Sequence, residues 1–586
     1  MFDLKITGGT VVDGTGSDRY LADVAVKDGK IVEVRRRGAS DAPLEGEARE
    51  TIDATGKVVA PGFVDIHTHY DGQVSWDSLL EPSSNHGVTT IVTGNCGVGF
   101  APVRPGSEQW LIELMEGVED IPGSALTEGM TWGWESYPEY LDVIGKGNYA
   151  VDVGSQVAHG SVRAYAMGER GARNEPATPD DIEAMGRLVR EAIEAGALGF
   201  STSRTLGHRA MDGEPVPGTF AAEDELFGLG RAMAAGGQAV FELAPQGVAG
   251  EDIIAPKKEL EWMQRLGAEI DRPISFGLIQ VDAAPDLWRE QMDISAAAHA
   301  AGARLYPQIA ARPFGMLFGF PGHHAFTHRP TFRKLKGELG REELAHRLAD
   351  PAVKAAILGE DDLPPDPNKL FDNMNILVQY ALGRIYHLGD PPDYEPTDER
   401  TVEKIAADRG EDPLATLYDL MLEADATNML MLPFFNYSYG NCDAIHEMLT
   451  HPAGVVGLSD GGAHCGMICD ASYPTFLLTH WARDRHRGAK LPLEHLIRKQ
   501  THDTAQLFGL SDRGVVQVGK KADLNVIDMD ALRLHPPKMA YDLPAGGNRL
   551  VQGASGYAAT IVSGTVTRRD GVDTGARPGR LLRGAR

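Results

Sequence analysis

The sequence predicts an α/β protein in which a (β/α)8 barrel of the TIM type carries a small β domain made from both ends of the chain. Three observations predict it. Between about residues 61 and 510, eight short apolar runs alternate with helical runs. The first 60 and the last 75 or so residues read instead as strand, turn and strand. Finally, residues able to bind metal or move protons gather where the predicted strands end, and barrels keep their chemistry at the carboxyl ends of their strands.

The N-terminal part, residues 1–60, contains "LKITGGTVV", "DVAVKDGKIVEV" and "ETIDATGKVV", with Gly-Gly, Asp-Gly and Ala-Thr-Gly as turn signals. Lys27-Asp28-Gly29-Lys30 suits a tight hairpin. The C-terminal part, residues 511–586, repeats the pattern in "GVVQVGKKADLNVIDMD" and "GYAATIVSGTVTRRDG". The two parts either pair into one β domain or form two separate caps. Between them, strands are expected near residues 62–67, 89–94, 150–157, 197–201, 239–243, 273–278, 303–309 and 454–459. The segment "ATPDDIEAMGRLVREAIEAG" reads as a helix joining two of them. Thr178 and Asp181 form a capping box, Pro179 suits the first turn and Gly196 stops it. Its apolar face is Ile182, Met185, Val189 and Ile193. An open parallel sheet would alternate in the same way; eight strands favour the closed barrel.

Two insertions break the period. One, near 104–149, holds Trp110, Trp132 and Trp134; the other, near 313–450, holds "FGMLFGFPGHHAF" and the acidic, Pro-rich "GEDDLPPDPNK". Insertions of this kind either shape the mouth of a barrel or join copies of the chain into a homo-oligomer.

The bulk numbers exclude several classes of function. With 586 residues, 42% hydrophobic and 24% charged, the chain is an ordinary globular protein. A net charge of −27 argues against binding nucleic acid or an anionic membrane. No apolar run is long enough to span a bilayer. The start "MFDLKITGG" has no signal-peptide pattern, and four cysteines do not make a disulfide framework. A cytoplasmic protein acting on a small molecule is expected, with cysteines left free for metal or chemistry.

The strongest local signal is Val64-Asp65-Ile66-His67-Thr68-His69, after the apolar "KVVAPGF". His67 and His69 are two apart, so on a strand both imidazoles share one face. A pair of surface histidines would look the same. Asp65 on that face and the Tyr70-Asp71 exit into a loop favour half of a metal site. The second strand runs into Cys96 within "GNCGVGF", either a thiolate ligand with open backbone around it or a small buried hydrophobe. The eighth ends at Asp460 in "GVVGLSD", either a base beside the metal and neighbour of strand one, or a turn residue before Gly461-Gly462.

Other strand ends offer His159, Ser201, Glu242, Ser275 and Gln308, with Arg204, His208, Arg209 and Arg312 just beyond. The arginines either hold a substrate carboxylate through paired hydrogen bonds or make structural ion pairs. His464 and Cys465, close after Asp460, are candidates for supporting the site, whereas Cys442 and Cys469 read as packing residues.

These motifs resemble the amidohydrolase superfamily, and within it the N-acyl-D-amino-acid deacylases. The resemblance rests on "GGTVVDGTG", "IDATGKVVAPGFVDIHTHYD", "GVTTIVTGNCG", "GALGFST", "GLSDGGAH" and "GVVQVGKKADLNVID", and spans nearly the whole chain. It implies a metal-dependent (β/α)8 barrel and a β-sandwich built from both termini. It implies His67 and His69 as metal ligands, Cys96 as a third, Asp460 as the catalytic acid/base near the metal, and His159 as a companion after strand three. Many of these deacylases end strands five and six in His. This chain has "AVFELAP" and "PISFGLIQ" there, leaving Glu242 nearest the missing ligand, and no Lys closes strand four. One zinc ion per chain is therefore expected.

The expected reaction is hydrolysis of an amide C–N bond, with Asp460 moving the proton, His159 steadying the oxyanion, and Arg204, Arg209, Arg312, Gln308 and Ser201 meeting the substrate. The alternatives are hydrolysis of cyclic amides, carbamates or ureas at the same metal, and a binding protein on a degenerate barrel.

Overall fold

The computed structural model describes residues 1–38, 42, 44–365 and 378–584; the last part of "GEDDLPPDPNK" lies outside the described residues. Eight parallel strands follow one another in chain order across a single sheet: Phe63–Asp65, Val88–Thr93, Asp152–Ala158, Gly199–Ser203, Val240–Ala244, Ile274–Leu278, Leu305–Ile309 and Val455–Val456. Every residue of strands two to six is buried, which is why these runs are apolar without alternation. The two edges of the sheet meet beyond their strands. Thr68 and Gly461 form a parallel bridge, the His69 N–H donates to the Gly461 carbonyl (2.8 Å), and the Asp460 N–H donates to the His67 carbonyl (3.1 Å). The eight-stranded α/β expectation is met.

Strand eight is shorter than the expected 454–459. Leu458 and Asp460 adopt φ of 57° and 49°, which ends the extended backbone and turns the Asp460 side chain toward the first strand's histidines. The helix Pro179–Ala195 forms between strands three and four with the anticipated reciprocal cap of Thr178 and Asp181, and stops at Gly196 in the left-handed conformation.

Strands from both ends of the chain share a second, nine-stranded sheet. Val58–Pro61 pairs antiparallel with Leu524–Ile527 and parallel with Phe2–Val11, joining the N-terminal and C-terminal hairpins. Asp28 and Gly29, both at positive φ, make the hairpin turn. Leu4, Ile6, Val24, Val59, Leu524, Val526 and Ile561 form a hydrophobic core of its own.

The insertion after strand two folds into three helices, Glu108–Glu119, Gly123–Gly129 and Tyr137–Ile144. The insertion after strand seven begins with Phe314–Phe318, which pairs antiparallel with Leu430–Phe435, and builds a separate apolar cluster around Phe320, Phe326, Phe332 and Tyr418. Among the described residues no helix is long and apolar enough to cross a membrane.

Candidate metal centre

The first strand stops at Asp65, yet the chain stays pinned to its neighbours for four more residues. Thr68 donates its N–H to Val92 and His69 its N–H to Gly461. This carries His67 and His69 to the mouth of the barrel, 2% and 1% exposed. Cys96 arrives from the loop after strand two, itself at φ 56°. Two glycines allow that loop. A Cβ on Gly94 would lie 2.2 Å from the Gln156 carbonyl oxygen, and one on Gly97 would lie 2.7 Å from the Ser203 nitrogen. Asn95 fastens the turn by donating to the Thr68 and Val92 carbonyls.

The result is one cluster. The His67, His69 and Cys96 donor atoms all lie within 4.8 Å of one another. Cys96 Sγ is 3.4 Å from His67 Nε2, and Asp460 Oδ1 is 3.3 Å from His67 Nε2 and 3.7 Å from His69 Nε2. Gln308 Oε1 is 2.8 Å from His67 Nδ1, so it accepts that N–H and leaves Nε2 as the free lone pair.

Burial lowers the pKa of His67 to about 4, against the opposing charge of Asp460, so its imidazole is neutral at physiological pH and able to ligate. Burial pushes the Asp460 carboxyl upward, but the neighbouring His69, His67 and His464 imidazoles outweigh it and hold the group well below the usual carboxylate range. Burial raises Glu242 to about 8 and the Cys96 thiol well above its ordinary value. His69 Nδ1, Glu119 Oε1 and Glu242 Oε1 are buried with no hydrogen-bond partner. Two imidazoles and a sulfur at this spacing, amid unpartnered carboxylate oxygens, fit a borderline-soft divalent ion.

A profile of the amidohydrolase family matches residues 50–568. The chain belongs to the amidohydrolase family. A D-aminoacylase from Alcaligenes xylosoxydans xylosoxydans is similar to this amidohydrolase at 27% identity, over 99% of this chain and 97% of its own length. An N-acyl-D-aspartate deacylase from the same organism is 25% identical, over 99% of this chain and 95% of its own. A solved D-aminoacylase superposes on the amidohydrolase with a TM-score of 0.64 at 26% identity, covering 100% of both chains.

Around the centre the other candidates divide. Glu242 reaches it: Oε2 accepts the Cys96 N–H (3.0 Å) and Oε1 is 3.9 Å from His67 Nδ1. Ser201 accepts the Gly97 N–H (3.1 Å), which makes it a brace for the cysteine loop of this amidohydrolase. Gln308 gives its Oε1 to His67 and keeps a buried, unpartnered Nε2, and Ser275 donates to the Tyr306 carbonyl.

The side chains expected to meet an oxyanion or a carboxylate are bonded within the protein. His159 has both ring nitrogens engaged, with Thr202 Oγ1 at 2.8 Å and Glu225 Oε1 at 2.9 Å, and Arg163 shares that carboxylate. No N–H remains to meet an oxyanion. Arg204 pairs with Glu259 (2.8 Å) and the Ala221 carbonyl, and Arg209 donates to the Gly213 carbonyl of its own loop. Arg312 is buried against Asp470 (2.9 Å), Ser472 and Gln552, with its guanidinium 3.8 Å from the centre of the Tyr394 ring. Arg204 and Arg312 therefore have carboxylate partners already, whereas Arg209 has one backbone carbonyl and no ion pair. All four cysteines are free and buried.

Three further residues stand at the amidohydrolase centre or face it: His464 and His208, both candidates from the sequence, and Glu119, which carries no sequence signal. Glu119, the last residue of helix Glu108–Glu119, lies 3.3 Å from His69 Nδ1. His464 stands 3.8 Å from Asp460 Oδ2. His208 bonds Ser203 (3.0 Å), and burial lowers its pKa to about 3, with the His464 and His69 charges adding to the effect. A second group, Glu395, Cys442 and His480, also has ligand spacing. There the buried Arg485 grips both carboxylate oxygens and the Cys442 N–H takes a further lone pair, so a guanidinium already supplies the positive charge.

Proposed function

We propose that this amidohydrolase removes the acyl group from N-acyl-D-amino acids, using zinc held by His67, His69 and Cys96, with Asp460 as general acid and base. The convergence of those three donor atoms within 4.8 Å, beside the Asp460 carboxylate, carries the reading. The similarity to a D-aminoacylase and an N-acyl-D-aspartate deacylase over 99% of the chain supports the substrate class.

When bound, a divalent ion supplies Lewis acidity, making water a stronger acid near neutral pH and polarising a carbonyl. The protein's own groups do the rest. Asp460, ionised at neutral pH, takes the proton of an attacking water and returns it to the leaving amine nitrogen. Gln308 keeps His67 in the tautomer that presents Nε2. Glu242 anchors the backbone of Cys96, fixing the sulfur against His67. Four free cysteines support a cytoplasmic setting.

A second reading, hydrolysis of a cyclic amide, carbamate or urea, is favoured by one observation: Arg204 and Arg312 are committed to buried carboxylates, which leaves only Arg209, held by one backbone carbonyl, for a substrate carboxylate. Elemental analysis combined with a panel of N-acyl-D-amino acids, their L-forms and carboxylate-free amides tests both. Zinc in the protein with turnover of the D-forms is expected. Turnover of carboxylate-free substrates alone would move the assignment to the second reading, and a metal-free chain after growth with zinc would remove both.

A further inference from the structure

We propose that His208 is a catalytic residue of this centre: its Nε2–H donates to the carbonyl oxygen of the scissile amide and steadies the negative charge that forms there. The inference rests on the hydrolytic reading above and gives the oxyanion a partner in place of His159, whose ring is engaged elsewhere.

His208 is held at the mouth from both sides. Ser203 closes strand four, and the Cys96 loop lies directly against it, since a Cβ on Gly97 would come within 2.7 Å of the Ser203 nitrogen. Ser203 Oγ in turn lies 3.0 Å from His208 Nδ1. Beyond the ring, residues 208–216 fold back as a small hairpin. The Val216 N–H donates to the His208 carbonyl (3.2 Å), the Ala210 N–H donates to the Glu214 carbonyl (2.9 Å), and Arg209 and Pro215 form an antiparallel bridge. Helix Glu108–Glu119 backs this hairpin. A Cβ on Gly117 would lie 2.5 Å from the Arg209 carbonyl oxygen, so a glycine is what lets the two come this close. The charges that bear most on the ring belong to His464, His69, Asp460 and His67, all of them at the centre.

Ser203 sets the tautomer. It is fully buried, and among the described residues its hydroxyl has no partner but His208. A proton on Nδ1 would leave the hydroxyl proton without an acceptor. The hydroxyl therefore donates to Nδ1, and the one proton of the neutral ring sits on Nε2. Among the described residues that nitrogen makes no hydrogen bond. Burial lowers the pKa of the ring to about 3, so at neutral pH it offers an N–H without a positive charge.

Strand order places this donor opposite the proton carrier. The eight strands follow one another in chain order, so strand four stands across the barrel from strand eight and Asp460. Water that loses its proton to Asp460 bonds to the carbonyl carbon, and the C=O π pair moves onto oxygen. There the His208 N–H meets it as a hydrogen bond, with no proton transferred. As the π bond re-forms, the C–N bond breaks and the leaving nitrogen takes the proton from Asp460. A neutral N–H suits a charge that develops only during reaction, whereas a permanent carboxylate is better met by a cation.

Zinc-loaded, full-length His208→Ala and His208→Gln test the proposal. The measurements are kcat and KM for an N-acyl-D-amino acid and for a carboxylate-free amide, zinc content, and calorimetric binding of a phosphonate analogue of the tetrahedral adduct. His208→Ala should retain zinc and keep KM within about twofold. It should lose about 10²- to 10³-fold in kcat on whichever of the amides the wild type hydrolyses. Affinity for the phosphonate should fall by a similar factor, and His208→Gln, which still carries an N–H, should recover part of both losses. An unchanged kcat overturns the proposal. So does a rise in KM confined to the carboxylate-bearing substrate, or loss of zinc in both variants. These three results leave the proposed function standing. A zinc-bound wild type that neither hydrolyses an amide nor binds the phosphonate overturns the proposed function together with this inference.

Discussion

Asp460 and His67 are held together twice, by the Asp460 N–H on the His67 carbonyl at 3.1 Å and by Oδ1 at 3.3 Å from the imidazole Nε2. The backbone bond fixes where the carboxylate enters, and the left-handed φ of 49° at Asp460 aims it. Position and charge are therefore set by the same junction that closes the barrel between its first and last strands.

Replacing Asp460 by Ala removes the proton carrier but none of the three donors His67, His69 and Cys96. Turnover should fall about 10²- to 10⁴-fold, the usual contribution of a positioned acid or base. The thiolate-linked ion should remain. Steady-state kinetics beside metal content check this, and full activity in the variant would rule the proton-carrying role out.

Gln308 acts on the centre through His67. With Gln308→Leu, the Nδ1 N–H loses its acceptor at 2.8 Å, and the imidazole is free to change tautomer and tilt. Metal affinity should drop about 10- to 100-fold, as for other groups that orient a ligating histidine. Competition with a chelator of known affinity measures it. Gln308→Glu, which restores an acceptor, should recover affinity.

Much of this arrangement is legible in the sequence because it depends on local spacing. His-x-His on one strand, a cysteine between glycines after the next, and Asp460 after a Val-rich run each point at the same end of the barrel before any coordinates are known. Residues whose role is set by a distant partner are not legible. Arg204 follows a strand end, but only the fold brings Glu259, 55 residues on, to its guanidinium. Arg312 likewise meets Asp470 across 158 residues. His159 sits at the right strand end but is turned to Glu225, 66 residues on. Glu119 is hidden for the opposite reason: a glutamate closing an amphipathic helix in an insertion reads as solvent-exposed, and nothing local says that it is buried.

Arg312 shows what such a partner is worth. Arg312→Leu leaves Asp470 buried and unpaired, and breaking a buried pair in this way costs about 3–5 kcal/mol. The unfolding midpoint in urea should fall accordingly. Per folded molecule, KM for an N-acyl-D-amino acid should stay within about twofold, since uniform binding is not being removed. A rise in KM at unchanged stability would restore Arg312 as a substrate contact.

His86 provides a pH test away from the metal centre. Its ring is buried between Thr475 Oγ1 and the Gln552 carbonyl, both at 2.9 Å, with Nε2 donating to the carbonyl and Nδ1 accepting from the hydroxyl. Burial lowers its pKa to about 3, helped by the charges of Arg312 and Arg568 and opposed by the Gln552 hydrogen bond. In the unfolded chain the same group titrates near 6.5. Below that value the unfolded state binds a proton that the folded state refuses, so stability falls as the pH drops. His86 therefore contributes its full share above about pH 6.5 and loses it progressively toward pH 3. Between pH 7 and pH 5 the loss amounts to about 2 kcal/mol. His86→Gln keeps a donor and an acceptor on the ring's two sides but cannot titrate. Its urea-derived stability should decline by that much less than the wild type's over the same interval. Equal declines in the two proteins would mean that His86 takes up its proton in the folded state as readily as in the unfolded one.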